Sequence, residues 1–153
     1  MKGSHTLRSV VPILTEHRSI FLLYNHIQSL YMPGGHGTCV DFINNPVLKK
    51  AVEDMYNAGK VVCSVCHGPM CLTDCVKPDG SPLVKGLTVA GFADSEEAAV
   101  QLTDKVPFLL EAKLKELGGN YEKGEDWHPK VCVDKSDSKI IITGQNPQSS
   151  EVS

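Results

Sequence analysis

The run Val61-Val62-Cys63-Ser64-Val65-Cys66-His67-Gly68-Pro69 carries the strongest chemical signal in the sequence. A β-branched run ends and a helix-compatible stretch begins with almost no loop between them. A residue at such a corner is held in a sharp turn and presented at the top of a sheet, the geometry of a nucleophile elbow with cysteine in place of serine. Gly68 lets the turn be tight. A helix starting just after Cys66 favours the thiolate, and His67 can stabilise it or return its proton. A buried strand-end cysteine followed by an unrelated histidine gives the same pattern.

Two further groups can complete such a site. Pro33-Gly34-Gly35-His36-Gly37 follows a short apolar run. Its glycines allow backbone N–H groups to face a cavity, as an oxyanion hole or a phosphate cradle requires. The spacing is neither a Walker loop nor a dinucleotide fingerprint, and a plain turn explains it too. Asp94-Ser95-Glu96-Glu97 follows another apolar run. One of its carboxylates can orient His67, while acids in a first helical turn are also favoured for their own sake. Trp127, His128 and Gln145-Asn146-Pro147 are candidate pocket residues.

The cysteines admit other chemistry. Cys63 and Cys66 with His67 fit both the haem-attachment and the redox C-x-x-C spacings. A haem has no room in a buried strand, and Cys63 lies back in that strand rather than at a helix start. A zinc site from Cys63, Cys66, Cys71 and Cys75 requires four side chains to converge that a strand, turn and helix send in different directions. The six cysteines therefore read as one reactive thiol among small buried hydrophobes.

These groups need an α/β frame. Ser29–Met32 reads as a strand, as does a stretch near 19–24. Asn45 and Pro46 open a helix that Gly59 closes, with Val47, Leu48, Ala51, Val52 and Met55 at helical spacing. Lys60–Val65 is a strand, Met70–Val76 a short helix, Leu87–Phe92 a strand, and Pro107–Leu117 a helix ended by Gly118-Gly119. Lys130–Val133 and Lys139–Thr143 form a hairpin pair. The alternation predicts an α/β three-layer sandwich, mainly parallel, with a C-terminal β-hairpin. In such sheets sites lie at the carboxyl ends of strands, where loops 33–37 and 66–69 fall.

At 153 residues the chain is one domain by length, with 41% hydrophobic and 22% charged residues and a formal net charge of -3. There is no Lys/Arg stripe, so no nucleic-acid partner is expected. The longest apolar run, Ile20–Tyr24, is far short of a membrane span. Met1–Leu14 carries Lys2 and Arg8, is interrupted by Pro12, and has no continuous apolar core. It does not read as a signal peptide, so a reducing, cytoplasmic setting is expected.

From about Tyr31 to Ser150 the sequence resembles the ThiJ/PfpI superfamily, with its flavodoxin-like, class I glutamine amidotransferase-like fold. Four segments carry the likeness: Pro33-Gly34-Gly35-His36-Gly37-Thr38, Val65-Cys66-His67-Gly68-Pro69, Val106-Pro107-Phe108-Leu109-Leu110-Glu111 and Thr143-Gly144-Gln145-Asn146-Pro147. They are most similar to the glyoxalase III, or D-lactate dehydratase, branch.

The resemblance implies Cys66 as nucleophile, His67 as its catalytic neighbour, and Glu97, with Asp94 second, as the acid of a triad. It implies Gly34, Gly35, His36 and Gly68 around the oxyanion and substrate, with the N–H groups of Gly35 and His67 as donors. The implied reaction converts a small 2-oxoaldehyde, methylglyoxal, to lactate without glutathione, metal or organic cofactor, in a homodimer. A redox-sensitive or chaperone-like stress protein and a cysteine peptidase or amidase are the alternatives.

Members of that family have a longer segment before the Pro-Gly-Gly loop, with a strand, a helix and a glutamate that approaches the nucleophile. Residues 1–28 do not match it; Glu16 is the one glutamate there and stands in a different context. Members also continue into a C-terminal helix. The expectation is an unmatched segment 1–28, a domain over 29–150, and a chain shortened at both ends.

Overall fold

The computed structural model describes residues 26–136 and 138–151. The strand expected near 19–24 lies outside them. Strand β1 (Ser29–Met32) leads into the glycine loop and a one-turn helix α1 (Thr38–Asp41). Helix α2 (Pro46–Asn57) follows, capped as its sequence requires: Asn45 Oδ1 accepts the N–H groups of Val47 and Leu48 at 3.2 and 3.1 Å. Val52, Met55 and Tyr56 on α2 are buried.

Strand β2 (Val61–Val65) lies between β1 and β6 (Ile140–Gly144), parallel to both. Its residues 62–65 are all buried, which explains their unbroken run of small and apolar side chains. β5 (Val131–Asp134) closes the sheet antiparallel to β6, as the expected hairpin. The order is β1-β2-β6-β5.

Three elements differ from expectation. After Cys66 the chain forms a 3-10 turn, Gly68–Leu72, rather than a helix over Met70–Val76. The run Leu87–Phe92 is a strand only at β3 (Thr88–Val89), in a separate parallel pair with β4 (Asn120–Tyr121). Side chains replace a ladder there. Asp134 Oδ2 accepts the Thr88 N–H at 2.7 Å and Thr143 Oγ1 accepts the Ala90 N–H at 2.7 Å. Helix α4 runs Leu110–Glu116 rather than from Pro107, and the chain before it turns over Leu102–Val106. Between these lies α3 (Asp94–Ala99), which carries the acidic run.

All six cysteines are free and buried, and burial raises every thiol pKa. Cys39 is pushed up to about 11 and Cys75 to about 12. A thiol whose folded pKa is raised keeps its proton longer in the folded chain than in the unfolded one. Its contribution is complete below the ordinary value of 9.0 and is lost as pH climbs toward the folded value. Thermal denaturation across alkaline pH is therefore expected to show Tm falling from about pH 9, by on the order of 10 °C at pH 11. A flat profile through that window contradicts it.

Candidate active site

The elbow is present. Cys66 adopts φ of 60°, a left-handed conformation that costs a non-glycine residue on the order of 1–2 kcal/mol. Neighbours hold it there: the Cys66 N–H donates to the Gly144 carbonyl and the Phe92 N–H to the Cys66 carbonyl, each at 2.9 Å. Thr38 Oγ1 lies 2.8 Å from the Gly35 carbonyl and 3.1 Å from that of His67, tying the glycine loop to the elbow. The fit is tight. A Cβ on Gly34 would come within 2.5 Å of Cys66 Cβ and 2.6 Å of the Val65 carbonyl, and one on Gly68 would strike the Met32 carbonyl.

Cys66 Sγ lies 3.4 Å from His67 Nδ1. On the far side of the ring, His67 Nε2 is 2.7 Å from Glu97 Oε2, with His67 fully buried and Glu97 nearly so. A carboxylate only accepts, so it holds the ring proton on Nε2 and leaves the Nδ1 lone pair facing sulfur. The backbone N–H groups of Gly35 and His67 point at Sγ. Two sequence-expected acids thus separate. Glu97 reaches His67, whereas Asp94 sits near Glu111, which accepts the Asp94 N–H at 3.0 Å.

The expected thiolate meets an opposing effect. Burial pushes the Cys66 thiol up; the Gly35 and His67 N–H groups pull it back, and Glu96 and Glu97 raise it further. Burial likewise lowers His67, against the pull of Glu97. A five-residue 3-10 turn supplies little dipole to oppose this. Both directions favour a neutral thiol and a neutral imidazole in the resting pair. Cys66 is 7% exposed and opens onto the cavity. Carboxamidomethylation of Cys66, followed by peptide mapping, is expected to accelerate with pH through and beyond 9.0, the ordinary thiol value. A plateau near neutrality contradicts the neutral pair.

The contacts of two residues were not legible in the sequence. His36 donates its Nε2–H to the other oxygen of Glu97, at 2.9 Å, and its ring packs on His67 with centroids 4.3 Å apart. Glu96, fully buried, accepts the Ala93 N–H at 3.0 Å, and the Trp127 N–H and Asn146 Nδ2 at 2.8 Å each. That bond explains the Gln145-Asn146-Pro147 segment: Asn146 locks it to α3, and Pro147 lines the cavity. The cavity, about 280 Å³, is walled by Gly34, Gly35, His36, Cys66, Phe92 and Trp127 among others. His128 is exposed, away from that wall.

Known proteins resemble the chain over the segment that carries this site. The DJ-1/PfpI family model matches residues 24–151. The chain belongs to the DJ-1/PfpI family. It is 35% identical over 131 residues to glyoxalase 3 of Candida albicans, covering 82% of this chain and 54% of that protein. It is 36% identical over 124 residues to a probable glutathione-independent glyoxalase of Schizosaccharomyces pombe, covering 78% and 54%. The solved structure of the rapid encystment protein of Francisella tularensis superposes with a TM-score of 0.75 at 40% identity, covering 82% and 54%. The chain spans about half the length of the curated relatives it matches. Its mostly parallel sheet is the flavodoxin-like, class I amidotransferase-like α/β arrangement of this DJ-1/PfpI family. No helix among the described residues is long and apolar enough to cross a membrane.

Proposed function

We propose that the site is a glutathione-independent glyoxalase centre that converts methylglyoxal to lactate. The observation that carries this is the Sγ–Nδ1 contact at 3.4 Å with Nε2 fixed by Glu97. Relatives named as glyoxalases support the substrate class. The cavity, about 280 Å³, suits a small carbonyl better than a peptide.

The neutral pair sets the order of steps. As Sγ bonds to the aldehyde carbon, its proton passes to His67 Nδ1, and the carbonyl electron pair moves onto oxygen. The Gly35 and His67 N–H groups receive that oxyanion, and the imidazolium returns the proton to it, giving a hemithioacetal. The freed Nδ1 then removes the C1 proton. The electron pair forms the C1–C2 double bond while the C2 carbonyl pair moves onto its oxygen. The C1 hydroxyl proton passes to that oxygen, the C1 oxygen re-forms its carbonyl, and the His67 imidazolium gives the proton it took from C1 to C2, leaving a lactoyl thioester on Cys66. Water, deprotonated by the same imidazole, attacks the thioester. The C–S bond breaks, sulfur regains its proton and lactate leaves. Glu97 stabilises the imidazolium at each stage.

A homodimer in the cytoplasm belongs to the same reading, and sedimentation equilibrium checks the dimer. The function is tested on purified protein by methylglyoxal consumption and lactate release without glutathione, with Cys66→Ser as control. Turnover lost in the variant supports the reading; no turnover from a folded sample overturns it for this chain.

A further inference from the structure

His36, His67 and Glu97 bring three ligand atoms within 4.8 Å of one another. His36 Nε2 and His67 Nε2 lie on opposite oxygens of one carboxylate, at 2.9 and 2.7 Å. The side chains of His67 and Glu97 are 0% and 3% exposed, and that of His36 is 40% exposed. The cluster is thus buried on two sides and open on the third. We propose that it is an inhibitory site for a divalent transition cation, zinc foremost, with His36 Nε2, His67 Nε2 and Glu97 as ligands.

The donor set is the two-imidazole, one-carboxylate combination that borderline cations prefer. Zinc bonds of about 2.0–2.2 Å set tetrahedral ligand atoms about 3.3 Å apart. The two His–Glu97 separations must therefore open by about half an ångström, and the two imidazole nitrogens, within 4.8 Å of each other, must settle at the same spacing. His36 can give that distance, because the glycines on either side of it, Gly35 and Gly37, have nothing within 4 Å of an added Cβ. The remaining coordination position faces the open side of His36. Cys66 Sγ is not a ligand, since it meets His67 at Nδ1, the ring edge opposite the cation.

Inhibition follows from the position of one proton. A neutral imidazole that gives its Nε2 lone pair to a metal carries its hydrogen on Nδ1. Each ring moves its single proton from Nε2 to Nδ1, and none is gained or lost. His67 Nδ1 then presents N–H to Cys66 and can no longer accept the thiol proton. Cation binding does not depend on the glyoxalase reading, whereas the loss of turnover rests on it.

The test uses the full chain and cobalt(II) or zinc(II) alone as probe. Cobalt is expected to bind the wild type and Cys66→Ser equally, with d–d bands and without an intense sulfur-to-cobalt band. His36→Ala and the more conservative His36→Gln, both checked for folding by circular dichroism, are expected to weaken zinc more than about a hundredfold, beyond the loss typical of an outer-shell partner. Zinc is expected to stop wild-type lactate release and a chelator to restore it. A sulfur-to-cobalt band, binding lost in Cys66→Ser, or undiminished binding in both His36 variants overturns the site. Binding as predicted with turnover undiminished overturns the inhibition alone. Binding as predicted in a chain that has no turnover without metal leaves the site standing and counts against the glyoxalase reading instead.

Discussion

Glu97→Gln is expected to lower kcat/KM for methylglyoxal by about 10⁴-fold, the loss in kcat seen when the acid of a serine-type triad is replaced by its amide. The carboxylate accepts from His67 on one oxygen and meets His36 on the other, at 2.7 and 2.9 Å. An amide replaces one acceptor by an NH2 donor. Wherever that donor faces His67 Nε2, the ring must turn its lone pair to Nε2 and its proton to Nδ1. Nδ1 then cannot take the proton of Cys66 at 3.4 Å. The side chain keeps its volume in a site only 3% exposed, so the fold is expected to survive. Steady-state kinetics with a circular dichroism control checks this. Activity within tenfold of wild type contradicts a tautomer-fixing role for Glu97.

Gly68→Ala is expected to destabilise the chain by about 3 kcal/mol, at the upper end of overpacking costs. An added Cβ would strike the Met32 carbonyl and lie 3.2 Å from that of Pro33. Both are backbone atoms at the end of β1, and β1 is held in register on β2 through Met32 and Ser64. Neither can yield without separating the glycine loop from the elbow. The same substitution at Gly37 is expected to be neutral or stabilising by up to about 1 kcal/mol, because nothing lies within 4 Å and its φ is already -56°. Denaturant unfolding of the pair measures the contrast; equal effects contradict this account of the elbow.

Much of the frame was legible because local chemistry agreed with the fold. Asn45-Pro46 announces α2, and Val61–Val65 announces a strand buried on both faces. The elbow was legible because strand, cysteine and glycine follow one another without a loop. The contacts that make the elbow a site were not local. His36 and Glu97 are 61 residues apart, and a glycine-loop histidine carries no sign of which carboxylate it will meet. The placement of Glu97 over Asp94 depends on how α3 is rotated, which its run of acids does not reveal. The upward pull on the thiol was not legible because the dipole of a following helix is visible in sequence, whereas burial and the nearby charges of Glu96 and Glu97 are not. The strand over Leu87–Phe92 was overlong because side chains of Asp134 and Thr143 do the work of a neighbouring strand.

The central claim is that Cys66 bonds covalently to the substrate carbon. Acid quenching of wild-type protein during turnover, followed by peptide mass mapping, tests it most directly. The account predicts an adduct of one methylglyoxal on the Cys66 peptide, absent in Cys66→Ser. Sustained lactate release by Cys66→Ser, or an adduct confined to other residues, contradicts it.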